Sequence, residues 1–348
     1  MKNQNIRYCF RSTKVLVFAL CSLFCAVSSF GQDVHFSNFN YAPAMVNPAQ
    51  AGFFPGHYRW AGLYRSQWSS VPVDYQTLAG GFDMKLRPGF LADGNLLGAG
   101  LFLFQDQAGD ASLSNGMVAF QTAFHKLLND ELSLSAGVHA SLHHRKADAS
   151  AVTWESQYNG DQFDPSLFSG ESFSSQNGNY ISAGAGLQLS YQHADTRSNY
   201  SIGLSSYHLN SPVFTFYDDT DVKIKQRINL LLLLTRQVNQ TLDAHFNFLF
   251  STQGPYREIL TEGLLRKHFS LSAGNAIELI GGVGMRWQDA IYPNIGLKIN
   301  NTEAGVSYDI NFSEWKKASL RKGGPEFFIR HVLWKVEPPA EFKPCPIF

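Results

Sequence analysis

The stretch ELSLSAGVHASL, residues 131–142, decides the fold class of this chain. Its apolar residues occupy every second position, from Leu132 and Leu134 to Leu142. Serine, glycine and histidine fill the alternate positions, so an extended chain would have one apolar and one polar face. The stretch therefore predicts a β-strand with a buried apolar face. That face packs either against a second sheet of a soluble sandwich or against the hydrocarbon of a membrane.

The same alternation recurs in residues 179–193, 222–234, 241–250 and 303–312, and no convincing amphipathic helix follows residue 52. We predict an all-β chain with about 14 strands, within about 12–16. The predicted strands start near residues 57, 74, 95, 113, 131, 179, 198, 221, 240, 256, 276, 290, 302 and 325.

The composition favours a protein whose outer surface is only partly exposed to water. Charged residues make up 16% of the chain, against roughly 25% in ordinary soluble domains. Aromatic residues reach 14%, and the formal net charge is zero. A chain without excess positive charge lacks the electrostatic pattern of a nucleic-acid-binding protein, so no nucleic-acid partner is expected.

The N-terminus is typical of an export signal. Lys2 and Arg7 precede the apolar run 15–27, and the small residues Ser29 and Gly31 suit cleavage before Gln32. Removal of residues 1–31 would leave Cys345 as the remaining cysteine, which excludes an intramolecular disulfide and a cysteine zinc site. No later apolar run is long enough for a spanning helix, so a membrane location would require a closed barrel.

The predicted links between strands sort by length. The short links 126–130, 193–198, 236–240 and 300–302 fall on one side, and the long links 144–178, 208–221 and 312–325 on the other. This sorting is typical of an outer-membrane barrel. We therefore predict a transmembrane antiparallel outer-membrane β-barrel, with lipid against the apolar face and a polar lumen. The soluble sandwich remains the alternative fold.

Residues 32–56 interrupt the alternation. They contain three Xaa-Pro bonds, which oppose regular strand pairing, and five aromatic residues, which favour burial. The expected organisation is a signal peptide (1–31), an aromatic and proline-rich segment (32–56) and the barrel domain (57–348). We expect the middle segment to form a periplasmic plug or a partner surface.

Two stretches of that segment, QDVHFSNF (32–39) and APAMVNPAQAG (42–52), resemble the N-terminal signature of the PorP/SprF family, type IX secretion system outer-membrane proteins of Bacteroidetes. The resemblance continues through YRSQW (64–68), DQFDP (161–165), NSPVF (210–214), GVGMRWQDAI (282–291) and VSYDINFS (306–313). The sequence departs from the family pattern at Val34, at Ala42 and at Glu326, which follows Pro325 where the family more often has Gly-x-His-Glu.

The resemblance implies a non-enzymatic component or accessory of the secretion machinery. It implies support for export or surface anchoring of cargo that carries a C-terminal sorting domain. The implied partners are outer-membrane lipid, other secretion components on the periplasmic side and a secreted cargo protein. The family motifs mark the candidate structural or partner-contact residues, which are Phe36, Asn47, Pro48, Gly52, Tyr64, Arg65, Gln67, Trp68, Asp164, Pro165, Pro212, Arg286, Tyr308 and Asp309.

A diffusion porin or other transporter is the first alternative function, and an outer-membrane lipid hydrolase is the second. His143 and His144 near many serines would suit a hydrolase, but the sequence lacks a G-x-S-x-G motif. Residues 159–165 lack the ligand spacing of a calcium-binding hand. We therefore expect no catalytic residues, no metal and no cofactor.

Overall fold

The computed structural model describes residues 33–67, 75–92, 94–109, 113–148, 152–170, 176–217, 219–270, 275–313 and 322–335. The predicted signal peptide lies outside these residues. Within them a short helix, α1 (Pro43–Val46), precedes the strands. No helix in the described ranges is long and apolar enough to cross a bilayer.

The described strands form one closed antiparallel barrel in which each strand pairs with its neighbours in sequence. They are β1 (Tyr58–Gln67), β2 (Tyr75–Leu86), β3 (Leu96–Ala108), β4 (Leu113–Leu127), β5 (Leu132–Lys146), β6 (Asn177–Gln192), β7 (Asn199–Tyr207), β8 (Arg227–Asn239), β9 (Leu242–Gln253), β10 (Tyr256–Ser270), β11 (Ile277–Arg286), β12 (Ala290–Ile299), β13 (Thr302–Asn311) and β14 (Lys322–Leu333).

Pairing between the first and last strands closes the barrel. The register runs from Tyr58 opposite Leu333 to Arg65 opposite Glu326. Closure means that neither the first nor the last strand is left as an open edge of the sheet. The prediction of an all-β antiparallel barrel with about 14 strands is confirmed.

The opening stretch lies in β5, and its two faces are the two sides of the barrel wall. Ser135, on the polar face, is 0% exposed and lies against the lumen, whereas Val138 is 57% exposed on the outer side. The outer surface of the other strands carries similar aliphatic residues, such as Ile181 and Ile295. The apolar face of the stretch therefore belongs to the outer surface of a closed barrel and not to the interior of a sandwich.

The two ends of the barrel differ in their links. The end where β1 begins and β14 ends has the links 87–95, 128–131, 193–198, 240–241, 271–276 and 300–301, and is here named the short-turn end. The opposite end, the long-loop end, has the longest links, 147–176 and 208–226, as well as 312–321. It also has the tight links 254–255 and 287–289, so the sorting by length is less strict than the sequence suggested.

One strand begins later than predicted. The alternating residues 222–226 lie outside β8, which starts at Arg227. Instead, Lys223 forms a bridge with Val213 inside the same link, and the amide of Ile224 donates to the carbonyl of Pro212 at 2.9 Å. The backbone of this alternating stretch therefore pairs within a local hairpin of the link and not with a neighbouring strand of the barrel.

Aromatic residues gather on the outer surface near both ends. Tyr64 and Phe327 stack near the long-loop end with ring centroids 6.4 Å apart. Tyr191 and Tyr200 stack near the short-turn end at 6.2 Å. Such pairs suit the girdles that transmembrane barrels place at the two membrane–water interfaces.

We expect the free-energy cost of a charged side chain on the outer surface to depend on its depth in the bilayer. Ile295 lies in the middle of β12 and Ile299 at its end, both exposed on the outer face. Ile295→Arg should cost about 2–4 kcal/mol of folding free energy in a bilayer, whereas Ile299→Arg should cost only about 0–1 kcal/mol. Urea unfolding in lipid vesicles measures both values. Equal costs would contradict a membrane-embedded outer surface.

Candidate functional site in the barrel lumen

Residues 34–54, here named the luminal segment, lie inside the barrel. The segment begins near the long-loop end, where Arg65 donates to the carbonyl of His35 at 2.6 Å. It ends near the start of β1, where the Arg59 guanidinium lies 4.6 Å from the centre of the Phe54 ring. The segment therefore extends along the lumen and is not confined to its mouth at the short-turn end.

Two aromatic side chains anchor the segment to the wall. Phe36, 3% exposed, meets Phe104 edge to face at 6.5 Å. Tyr41 stacks on Phe328 with ring centroids 4.1 Å apart. An aromatic side chain buries roughly 150–250 Å², so these contacts remove much apolar surface of the segment from water.

Polar side chains of the barrel wall bind the backbone of the segment. The segment pairs with no strand, so its buried carbonyls need other donors. The wall supplies them at 2.5–2.9 Å: Tyr207 to Ala44, Arg227 to Met45, Ser205 and Asn229 to Val46, and His125 to Ala51. The polar side chains of the lumen are thus positioned to bind the backbone carbonyls of this segment along a single course through the barrel.

An ion cluster holds the start of the segment. Asp309 lies between two guanidinium groups, 2.9 Å from Arg65 and 2.8 Å from Arg286. Its other oxygen accepts from the hydroxyl of Ser37 at 2.9 Å. Glu326 accepts from the backbone amides of Ser37 at 3.0 Å and Asn38 at 2.6 Å. All of these wall side chains are buried, so the segment completes a charge network that water does not solvate.

The Asn47-Pro48 turn packs the segment closely against strands β5 and β6 of the barrel wall. The side chain of Asn47 accepts from the amide of Ala49 at 2.9 Å and donates to the carbonyl of Leu187 at 3.0 Å. A Cβ on Gly186 would lie 2.1 Å from Asn47 Oδ1, and one on Gly137 would lie 2.5 Å from the Pro48 backbone. Glycine at these strand positions therefore makes room for the turn.

A second close approach follows at Gly52. Its amide donates to Asp83 at 2.8 Å, and its φ of +72° favours glycine. On the facing strand β3, a Cβ on Gly98 would lie 1.8 Å from the carbonyl oxygen of Ala51. The Asn-Pro and Ala-Gly parts of the sequence motif thus correspond to two tight contacts with the wall.

We expect Gly137→Ala to destabilise the protein by about 1–3 kcal/mol, because the methyl group would displace the backbone of Pro48. Gly263→Ala is the matched control, since a Cβ on that strand glycine meets nothing within 4 Å. Urea unfolding of both variants checks the expectation. Equal effects would mean that the turn does not press on the wall.

The structure brings some of the predicted residues together and separates others. Phe36, Arg65, Arg286 and Asp309 gather at the start of the segment, and Asn47, Pro48 and Gly52 lie along it. Tyr64 and Tyr308 lie on the outer surface, 38% and 40% exposed, away from this cluster. Gln67 is the half-buried last residue of β1, and Trp68 lies outside the described residues.

The remaining predicted residues lie in the two longest links. Asp164 accepts from the amide and hydroxyl of Ser166, and these bonds hold the pKa of its carboxyl below the usual range. Pro165 beside it is exposed, while Pro212 is buried in the other link. These residues shape loops at the long-loop end.

Sequence reasoning missed several residues of the site. Ser37, Asn38 and Glu326 are central to the ion cluster, and Glu303 accepts from the hydroxyl of Tyr41. The sequence pattern could have identified two of these carboxylates, because Glu326 and Glu303 occupy strand positions that point into the barrel. A carboxylate at such a position must find a partner inside the barrel.

Serine and histidine also meet inside the lumen. Ser135 lies 2.6 Å from His125, and Ser182 lies 2.8 Å from His208. All four residues are buried on the inner side of the wall. In the part of the chain that the structure describes, no group of histidine, cysteine, aspartate and glutamate is arranged to hold a metal ion.

The comparisons with known proteins give one family match. The family described as type IX secretion system membrane protein PorP/SprF matches residues 28–325. No curated protein sequence matches the chain.

Solved structures resemble the chain in fold at low sequence identity. The TodX deltaS2S3 mutant monoaromatic hydrocarbon channel is 11% identical with a TM-score of 0.48, covering 83% of this chain and 92% of that one. The CymD monoaromatic hydrocarbon channel is 10% identical with a TM-score of 0.47, covering 88% and 96%. The Pseudomonas putida toluene transporter TodX is 9% identical with a TM-score of 0.46, covering 86% and 97%.

Proposed function

Because the chain belongs to the PorP/SprF family of type IX secretion system membrane proteins, we propose that it is an outer-membrane component or accessory of that system. In this role it supports export or surface anchoring of particular cargo proteins with a C-terminal sorting domain. Its partners are outer-membrane lipid, other secretion components on the periplasmic side and the cargo. The family match carries this proposal, and the filled lumen supports it.

The luminal segment argues against a general diffusion porin. A porin of larger strand number leaves an aqueous channel through its centre. Here the backbone of residues 44–46 is bound from β7 and β8, while Ser37 and Asn38 are bound from β13 and β14. Contacts from opposite parts of the wall place the segment across the passage. A lumen filled in this way is unsuited to free diffusion of solutes.

A lipid hydrolase is disfavoured by the position of its candidate residues. Of the two histidines that the sequence suggested, His144 is exposed and its Nδ1 lies 2.8 Å from the Asn179 side-chain oxygen and not from a serine. His143 lies 3.0 Å from Ser141 and faces the lumen, as do the Ser135–His125 and Ser182–His208 pairs. A lipid ester bond in the surrounding membrane would not reach them. We therefore propose a non-enzymatic role that needs no cofactor.

We place the short-turn end in the periplasm, because outer-membrane barrels have short periplasmic turns and longer external loops. An epitope tag between Gly160 and Asp161, in the link 147–176, should be labelled by antibody on intact cells. A tag between Asn239 and Gln240 should be labelled only after the outer membrane is permeabilised. Labelling of the second tag on intact cells would reverse the orientation.

The test of the function is a comparison of secreted and surface proteins with and without the gene. Deletion should remove one or a few proteins that carry the C-terminal sorting domain from the cell surface and medium. Re-expression of the intact chain should restore them. If the secreted proteins are unchanged, and solute uptake is impaired instead, the porin alternative replaces the proposal.

A further inference from the structure

A cavity of about 190 Å³ lies at the short-turn end of the lumen, apart from the ion cluster around Asp309. Its lining includes three cationic side chains, Arg266 from β10, Lys298 from β12 and Arg330 from β14. These side chains extend from the inner face of the wall near the ends of their strands. The cavity therefore gathers positive charge where the proposed orientation places the periplasm.

Two carboxylates share these three cations. Glu278 lies 2.8 Å from both Arg266 and Lys298. Glu303 lies 3.2 Å from Arg266 and 2.9 Å from Arg330, and also accepts from the hydroxyl of Tyr41. Three positive charges thus face two negative ones. The group retains one unit of positive charge.

Arg266 also has a donor that the protein leaves unused. Its Nε is buried and has no hydrogen-bond acceptor. A buried donor without an acceptor is costly, and an acceptor of opposite charge gives the strongest bond to a guanidinium. The Nε atom is itself shielded from the cavity, so it is the excess positive charge of the three side chains that favours an anionic oxygen ligand.

The remaining walls of the cavity are suited to a peptide. Phe54 and Trp334 provide aromatic surface, and Trp334 is 58% exposed. Asn300 and Asn301, in the turn between β12 and β13, add amide groups that can bind a peptide backbone. At about 30 Å³ of liquid volume per water, the cavity has room for a carboxylate with one neighbouring side chain.

We propose that this cavity binds a carboxylate at the end of an extended peptide that approaches from the short-turn end. A lipid phosphate fits less well, because the three cations lie on the inner face of the wall and the lipid-contacting surface is the outer face. The proposed function supplies the periplasmic location, so the inference rests on it for the source of the peptide. The binding chemistry itself is independent of secretion.

Isothermal titration of the purified full chain in detergent tests this site with three probes. They are the tripeptide Ala-Ala-Phe with a free C-terminal carboxylate, the same tripeptide with a C-terminal amide, and inorganic phosphate. The free acid should bind saturably, and the amide at least about tenfold more weakly, because it lacks the charge-assisted bonds. Equal binding of acid and amide, binding of phosphate alone, or binding of none would overturn the proposal.

Matched variants locate the binding. Lys298→Gln and Arg330→Gln should each weaken binding of the free acid at least about tenfold. Lys267→Gln is the control, because it removes one positive charge from β10 next to Arg266 but on the exposed outer face. If Arg330→Gln fails to fold, Lys298→Gln decides the result. Loss of affinity in the control, or unchanged affinity in Lys298→Gln, would contradict the site.

This outcome is separable from that of the proposed function. Peptide binding with unchanged cargo secretion after gene deletion would leave the site valid and refute the secretion role. Loss of secretion without peptide binding would leave the secretion role valid and refute the site.

Discussion

Deletion of residues 36–50 should turn a closed barrel into a conducting one. The deletion removes the anchors Phe36 and Tyr41 and the backbone that the wall side chains bind. The strand pairs that close the barrel do not include these residues. Single-channel recording in planar bilayers should show conductance at least about tenfold above that of the intact protein, as expected for an unfilled barrel of this size.

The matched control is a deletion of residues 158–168 from the link 147–176. These residues pair with one another, as Tyr158 does with Phe163, and most are exposed. The control should fold and should conduct no more than the intact protein. A deletion of 36–50 that folds, as judged by heat-modifiable migration, and yet stays closed would show that the luminal segment is not what blocks the passage.

Asp309→Ala should be among the most destabilising single substitutions. It leaves Arg65 and Arg286, 2% and 3% exposed, without their shared carboxylate. Removal of one partner from a buried ion cluster typically costs about 3–5 kcal/mol. Urea unfolding in lipid vesicles should show a loss of this size, and the hydroxyl of Ser37 loses an acceptor as well.

Asp161→Ala provides the comparison, because Asp161 is an exposed carboxylate in a loop. Exposed substitutions away from such networks usually change stability by no more than about 0.5 kcal/mol. If the two variants unfold alike, the Arg65–Asp309–Arg286 cluster contributes little. The folding of the lumen would then depend mainly on its apolar anchors.

The fold was predictable from the sequence because a strand repeats every two residues. In β5 the alternation places Ser135 and His139 inside and Leu134 and Val138 outside, in agreement with the structure. This local pattern fixes which face of each strand is apolar without knowledge of the partner strand. The number of strands followed from counting such stretches.

The same rule fails where an alternating stretch has a second partner nearby. Residues 222–226 alternate as a strand should, but Lys223 pairs with Val213 within the link and not with β7. Alternation indicates that a segment is extended. It does not identify the segment with which it pairs.

The luminal site was predictable only in part, because its contacts join distant residues. Arg65 and Asp309 are 244 positions apart, and no local pattern indicates that they meet. The family motifs marked both residues, but they gave no indication that Ser37 or Glu326 completes the cluster. The basic cavity at the short-turn end has residues from four separate stretches, so no motif in the sequence predicted it.

The central claim, that the luminal segment occupies the barrel, is tested most directly by cross-linking it to the wall. In the Cys345→Ser background, Asn38→Cys combined with Ser307→Cys places thiols on side chains that are 2.6 Å apart in the structure. The shortest bis-methanethiosulfonate cross-linker should join this pair in outer membranes, giving a new mobility on denaturing gels. Asn38→Cys combined with Tyr308→Cys, one residue along but on the outer face, should remain unlinked. Absence of the first cross-link in a folded barrel, or equal yields for both pairs, would contradict the account.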